Sequence, residues 1–450
     1  MRPSHAPHIL LVNPWIHDFA AYDVWAKPLG LLTLGGILRR HGARISYLDC
    51  LDRFHPMAAD GSPPEKRCGR GPYMKTAIPT PSELSDVPRT YSRYGIPVQW
   101  FRRDLQALDP PDLVLVTSLM TYWYPGVRET IATIRSVFAN VPVVLGGIYA
   151  TLCYEHAART SGADHVVAGP GEAHIMDVVA AYTGWSPAAR FDPQRLDSLP
   201  LPVLDLEHRL AHVPLLTTRG CPFQCAYCAS RKLAPRMMRR SPEAVVDEIV
   251  HWYRCHGVHD FAFYDDALLV DADKHALPLL EGVIAADIDV RFHTPNAMHI
   301  REITPDLARL MRRAGFHTIR LGLETTAFEQ RSHLDRKVTE AEFNRAVKYL
   351  KSAGFTAANV GAYLLAGLPG QDVRAVESSI TVVKRAGVTP VIAHYTPIPH
   401  TAMWPDAVAA SRYDLESDPI FTNNAIFPCR SGAFSWEEVT RLKNLVHAHS

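Results

Sequence analysis

No window of the 450-residue chain approaches the roughly 18 consecutive apolar residues that a membrane-spanning helix requires. The N-terminal run Ile9–Val12 is too short for a secretion-signal core, and no small-residue cleavage pattern follows it. A soluble cytoplasmic protein without a membrane partner is therefore expected. Charge of one sign is equally lacking: 47 Lys and Arg face 46 Asp and Glu, for a net charge of +1. Proteins that grip nucleic acid through its phosphates usually carry a basic excess, so no nucleic-acid partner is expected. Internal repeats and low-complexity tracts are absent, and 47% hydrophobic content excludes intrinsic disorder. The 35 prolines and 26 glycines follow no collagen-like period, which excludes a fibrous protein. There is no His-Glu-x-x-His metal pair, no Gly-Lys-Ser/Thr phosphate cradle and no Ser–His–Asp constellation. Cysteine is scarce too; eight residues fall far below the density of a disulfide scaffold.

What the cysteines lack in number they make up in placement. Cys50, Cys68, Cys153, Cys255 and Cys429 are scattered, but Cys221, Cys225 and Cys228 sit within eight residues. They lie in the loop Gly220-Cys221-Pro222-Phe223-Gln224-Cys225-Ala226-Tyr227-Cys228, spaced CxxxCxxC directly after a predicted strand. Thiolates are soft ligands suited to zinc or iron–sulfur clusters. A structural zinc site takes four protein ligands, so a histidine or a distant cysteine would have to complete this set. Three thiolates on a [4Fe–4S] cubane would instead leave one iron open to a small molecule.

The rest of the chain reads as α/β. Short strands at His8–Val12, Ala43–Leu48, Asp112–Thr117, Val141–Leu145 and Asp164–Val167 alternate with helices. That alternation predicts a doubly wound, Rossmann-like domain over residues 1–185, with ligands beyond the carboxyl ends of its strands. Residues 53–100 interrupt it as an irregular insertion, and 186–210 read as a linker. A second series runs over 211–400, with strands near Val213–Thr217, Asp260–Tyr264, Ile288–His293, Thr318–Leu323, Phe355–Leu365 and Pro390–Tyr395. Six β/α units predict a partial (β/α)6 barrel with its site at the C-terminal strand ends. Residues 401–450 form a short tail with a helix from Ser435.

CxxxCxxC after the first strand of a partial barrel resembles the radical S-adenosylmethionine (SAM) superfamily. The resemblance implies that Cys221, Cys225 and Cys228 hold a [4Fe–4S] cluster whose open iron is chelated by the amino and carboxylate groups of SAM. Reductive cleavage of SAM would then give a 5′-deoxyadenosyl radical, with the cofactor carrying the hard chemistry. The same resemblance places Asp265 and Asp266, ending the second strand, near the SAM amino group; a helix-capping pair is the alternative. Glu324, in Leu321-Gly322-Leu323-Glu324, looks like the family's acid beside the SAM ribose or methionine, unless it is an ordinary surface residue. Gly361 and Gly367, flanking the fifth strand's end, would let backbone approach adenine, although a plain turn would use the same residues. Tyr227 stands where the family often presents an aromatic ring to adenine.

An α/β domain ahead of such a barrel resembles the cobalamin-binding subgroup. Asn13 ends strand one and Gly30 lies in the first helix; Thr117-Ser118, Gly146-Gly147 and Gly169-Pro170-Gly171 follow strands three, four and five. The resemblance implies that these positions admit a corrin ring and its nucleotide tail. Many cobalamin proteins supply a histidine from Asp-x-His-x-x-Gly; this domain has none, which implies cobalt without a lower protein ligand. Met120-Thr121-Tyr122-Trp123-Tyr124 is a candidate wall for the corrin, or simply core aromatics.

The resulting expectation is a cobalamin-dependent radical SAM enzyme that methylates an unactivated carbon. Cobalamin-dependent rearrangement, cyclisation or oxidation is the first alternative, and a non-catalytic cluster- and corrin-binding sensor the second. A small-molecule or peptide substrate and an electron donor such as flavodoxin or ferredoxin are the implied partners. No side chain is assigned as a catalytic acid or base. His394 and His400 near the sixth strand's end either face a substrate or are structural or exposed. Arg236, Arg239 and Arg240 either hold an anionic substrate or solvate a loop.

Overall fold

Continuous apolar runs such as Ile9-Leu10-Leu11-Val12 and Leu113-Val114-Leu115-Val116, all 5% exposed or less, are the signature of strands covered on both faces. The computed structural model describes residues 6–58, 68–430 and 434–448, apart from the side chains of Gln330 and Ser332. In it the chain divides into two units: Met1–Ala211 with Ser417–Ile426, and His212–Glu416 with Phe427–Ser450.

The first unit contains a five-stranded parallel sheet in the order Arg44–Asp49, His8–Asn13, Leu113–Val116, Val143–Leu145, His165–Val166. In chain order this is 2-1-3-4-5, so the strand order reverses between His8–Asn13 and Leu113–Val116, where Val12 pairs with Val116. Sheets of this order bind ligands at that reversal, outside the carboxyl ends of the strands. The insertion is less irregular than its sequence suggests. Ser92–Tyr94 pairs antiparallel with both Ile16–Asp18 and Lys75–Ala77, and Val98–Ala107 is a helix. Three-residue strands are too short to display alternation, and their pairing is set by distant residues. Ile16, Tyr73 and Tyr94 form a small buried core beneath this sheet. Residues 59–67 of the insertion lie outside the described residues.

The 186–210 stretch packs within the first unit. Leu196, Val203 and Leu204 are buried, and Val203 N–H donates to the Leu32 carbonyl at 3.1 Å. Part of the expected tail also belongs here. Asn423 donates to Asp18 at 2.9 Å, Thr422 and Thr121 hydroxyls meet at 2.9 Å, and Tyr124 donates to Asp418 at 2.8 Å. Nothing in the local pattern of Ser417–Ile426 signals these long-range polar pairs.

The second unit holds six parallel strands adjacent in chain order: Val213–Leu215, Asp260–Phe263, Arg291–His293, Phe316–Glu324, Val360–Ala366 and Thr389–His394. This is the connectivity of a partial (β/α)6 barrel. The rings of Phe261, Phe263, Phe292 and Phe316, each 2% exposed or less, pack against one another. Helix starts are fixed locally. Ser241 caps Pro242–His256, Thr304 caps Pro305–Arg313, and Thr339 with Glu342 makes a reciprocal capping box for Glu340–Ser352. Among the described residues no helix is long and apolar enough to cross a membrane.

Candidate functional site

At the exit of the first barrel strand, Thr217 and Thr218 are fully buried and turn both backbone and side-chain donors on Asp265. Thr217 Oγ1 and Thr218 Oγ1 lie 2.6 and 2.8 Å from Asp265 Oδ1, and Thr217 N–H donates to Oδ2 at 3.2 Å. Burial pushes the Asp265 carboxyl up to about 6, against the opposing pull of these bonds. His275 Nε2, 2.7 Å from Thr217 Oγ1, closes the network. Asp265 thus clamps the strand end from which the cysteine loop departs. Asp266 is only partly buried; it bonds Ser230, and its charge acts on Cys221.

Thr218–Arg219 pairs antiparallel with Met238–Arg239, which sets the base of the loop. Gly220 follows at φ +85°, and a Cβ there would come within 2.7 Å of the Arg236 carbonyl, so only glycine makes this crossing. Cys221, Cys225 and Cys228 are all free thiols; the first two are half-buried and the third exposed. Burial raises Cys221 and pushes Cys225 up to about 11. Cys228 N–H donates to the Cys225 carbonyl at 3.1 Å, and Cys228 Sγ lies 3.3 Å from Ser230 Oγ. His299 Nε2 is 3.8 Å from Cys221 Sγ; its ring stacks on Phe223 and its Nδ1 has no partner among the described residues. Burial, with the nearby Lys337 and Arg301 cations, lowers His299 to about 4 and holds it neutral.

Beside Cys225 sits a buried trio. Lys337 Nζ donates to Tyr227 Oη at 2.9 Å and to Glu324 Oε1, and Tyr227 Oη donates to the same Glu324 oxygen at 3.1 Å. The Lys337 and Glu324 side chains are 9% and 6% exposed. Burial lowers the Lys337 ammonium, but Glu324, Cys225 and Asp335 together outweigh it and the group is held above its ordinary value. Glu324 has φ +63° and follows a slip in strand register after Gly322. A buried charged residue in a sparsely populated conformation marks a place where structure is held for use. Glu324 is therefore no surface residue. Lys337, its partner, was not legible in sequence, because it follows a 3-10 segment with no helical or strand period.

The remaining barrel candidates divide. Gly367 stands at the carboxyl end of the fifth strand, its N–H donating to Gln371 Oε1 at 2.8 Å. Gly361 is the second residue of that strand, at its amino end, covered by Val391 and Arg320. The expectation that it flanks the same strand end as Gly367 is corrected: the strand begins at Val360, so the two glycines lie at opposite ends. His394 packs on Phe427 with ring centroids 4.3 Å apart, and His400 is exposed. Arg239 and Arg240 are engaged by Asp271 and Glu248, while Arg236 is exposed.

In the first unit the candidates gather beyond the carboxyl ends of the strands. Asn13 Nδ2 donates to Asp49 Oδ1 at 2.7 Å, across the ends of two adjacent strands. Thr117 N–H donates to the Val12 carbonyl at 3.2 Å. Ser118 Oγ donates to the Gly146 carbonyl at 2.7 Å, and at Gly147, φ +101°, a Cβ would collide with the Ser118 carbonyl oxygen. Gly169 N–H donates to Thr151 Oγ1 at 2.9 Å, and nothing lies within 4 Å of where a Cβ would stand on Gly30 or Gly169. Gly171 faces Leu34. Tyr122 is buried, and the Trp123 indole donates to buried Asp18 at 2.6 Å, so these are core aromatics. Leu119 and Met120, 44% and 37% exposed, are the apolar residues presented at that strand end.

Three free thiols on a strand-exit loop of a partial (β/α)6 sheet are the arrangement that resembles the radical SAM superfamily, and comparison with known proteins agrees. The Radical SAM superfamily profile matches residues 215–383, and the B12 binding domain profile matches residues 99–179. The chain belongs to the B12-binding radical SAM enzymes. An uncharacterized methyltransferase of Pyrococcus horikoshii is 26% identical over 330 residues, covering 66% of this chain and 70% of that one. An anaerobic magnesium-protoporphyrin IX monomethyl ester cyclase of Synechocystis is 24% identical over 350 residues, 72% of this chain and 62% of that one. The radical SAM methyltransferase TsrM of Kitasatospora setae, solved with cobalamin and a [4Fe–4S] cluster, superposes with a TM-score of 0.68 at 18% identity. That match covers 98% of this chain and 91% of TsrM.

The cofactors are a [4Fe–4S] cluster, SAM and cobalamin, and the side chains present fit them. Three free thiols on one short loop are the donor set for a cubane with one iron unclaimed by protein. The adjoining Tyr227–Lys337–Glu324 trio and Asp266 supply polar groups for an amino-acid ligand. Open glycine positions and the exposed Leu119–Met120 lip suit a broad flat ring at the sheet's reversal point.

Proposed function

We propose that this cobalamin-dependent radical SAM enzyme transfers a methyl group to an unactivated carbon. The observation that carries the choice is the Pyrococcus methyltransferase, matched over about two thirds of both chains. When bound, the cluster and SAM supply a 5′-deoxyadenosyl radical and cobalamin supplies a methyl carrier. The chain's own contribution is placement. Asp265 fixes the strand exit, Gly220 makes the turn into the loop, and Cys221, Cys225 and Cys228 present three thiolates. Tyr227, Lys337 and Glu324 hold a fixed pattern of donors and an acceptor beside Cys225, so little reorganisation is needed on ligand arrival. The similarity to the Synechocystis cyclase supports a second reading, ring formation without methyl transfer.

Anaerobic protein reconstituted with iron, sulfide and hydroxocobalamin, then given dithionite and methyl-labelled SAM, separates the readings. Label appearing on cobalamin together with released 5′-deoxyadenosine supports methyl transfer. Deoxyadenosine without label on cobalamin favours the cyclase reading, and neither product points to a sensor.

A further inference from the structure

A cluster that cleaves SAM reductively must first be reduced from outside the chain, and the segment around Cys228 is rich in cations. Between Arg219 and Arg240 the sequence carries six cations, Arg219, Arg231, Lys232, Arg236, Arg239 and Arg240, and no acidic residue. In a chain of net charge +1 this is a local excess. Two of the cations are consumed within the fold, Arg239 by Asp271 and Arg240 by Glu248. Arg231, Lys232 and Arg236 are exposed, and their side chains have no ion pair or hydrogen bond among the described residues. They support no part of the packing described above.

Their position relative to the thiols is fixed by short covalent and hydrogen-bonded steps. The helix Ser230–Leu233, which carries Arg231 and Lys232, starts two residues after Cys228, and Cys228 Sγ lies 3.3 Å from Ser230 Oγ. The Arg236 backbone lies against Gly220, next to Cys221. Cys228 is therefore the thiol adjoining the element that bears these exposed cations.

We propose that Arg231, Lys232 and Arg236 form a docking surface for an acidic one-electron carrier protein, a reduced flavoprotein of negative surface, which passes its electron to the cluster beside Cys228. This rests on the radical SAM reading above. The flavin hydroquinone gives up one electron and becomes the semiquinone, the oxidised cluster gains that electron, and no covalent bond forms or breaks. Unpaired surface cations act on an approaching acidic protein mainly through encounter rate, raising it about 10- to 1,000-fold at low salt. The attraction is screened once ions shrink the Debye length below roughly 10 Å. An anionic small-molecule substrate is the competing occupant.

The test uses the full chain with its cluster rebuilt, as wild type and as the triple variant Arg231→Glu, Lys232→Glu, Arg236→Glu. Stopped-flow bleaching of the cluster is followed with flavodoxin hydroquinone and, separately, with dithionite. The expected result is a flavodoxin-driven rate at least ~10-fold lower in the variant at low salt. The wild-type rate should also fall with added salt, while iron content and dithionite-driven bleaching stay equal in both proteins. The charge-keeping variant Arg231→Lys, Arg236→Lys should retain the wild-type rate. Equal flavodoxin rates in wild type and triple variant, with normal iron content, overturn the docking surface alone. A wild type that assembles no cluster overturns the functional reading itself.

Discussion

Replacing Lys337 by methionine tests the buried trio beside Cys225 most severely. The substitution keeps much of the side-chain volume and removes the cation, leaving Glu324, 6% exposed, without its counter-charge. Breaking a buried pair from one side costs about 3–5 kcal/mol, because the remaining charge stays desolvated. Glu324 terminates the strand Phe316–Glu324 at a left-handed backbone angle, so the loss should appear as easier opening of that strand end. Hydrogen-exchange mass spectrometry on cluster-free protein reads this directly, as a fall of about 3 kcal/mol in opening free energy there. Lys337→Met combined with Glu324→Gln removes the stranded charge and leaves an acceptor for Tyr227. It should recover about 2 kcal/mol, a coupling typical of residues in one network. A loss below about 1 kcal/mol in the single variant, or no recovery in the double, would refute the claim that these charges depend on one another.

Further consequences follow from the same geometry. Lys337 is held above its ordinary 10.5, so its contribution is complete below that pH and is lost as pH rises through the higher folded value. Exchange protection of Phe316–Glu324 should therefore stay flat through neutral pH and fall only in strong alkali. Asp265 follows the same sense in the acid range: its folded value of about 6 lies above 3.8, so wild-type stability should decline as pH rises from one to the other, relative to Asp265→Asn. At ~1.36 kcal/mol per pH unit that decline is about 3 kcal/mol, measurable by urea unfolding at pH 4 and pH 7. Asp265→Ala removes the acceptor for the Thr217 and Thr218 N–H groups, costing ~1–3 kcal/mol for each stranded donor. Its iron content after reconstitution should drop with the loop's anchorage. Cys225→Ala should lower iron and sulfide from about four atoms each per chain to below about one, and abolish deoxyadenosine release.

Much of the architecture was legible because the strands are continuous apolar runs and the helices carry local caps. The loop Cys221–Cys228 announces itself by spacing alone. What escaped was held by long-range pairing. Ile16–Asp18 and Ser92–Tyr94 are too short to show alternation, and Asn423 reaches Asp18 across 405 positions of sequence. Lys337 and His299 escaped for a related reason: neither lies in a motif, and each matters only because folding sets it beside Glu324 or Cys221. Glycine proved ambiguous in sequence. Gly147 and Gly220 sit where backbones cross, whereas Gly361 is packed inside the sheet at the wrong strand end. Asp265 and Asp266, adjacent in sequence, point to different duties because the first is spent on the Thr217–Thr218 clamp.

The most direct measurement is electron paramagnetic resonance of the dithionite-reduced, reconstituted protein, recorded before and after SAM is added. A signal from one reduced cubane per chain, with g-values that change on SAM addition, is the result expected of three thiolates holding a cluster with one iron free for ligand. A cluster signal indifferent to SAM, or protein that binds a single zinc ion in place of iron and sulfide, would contradict it.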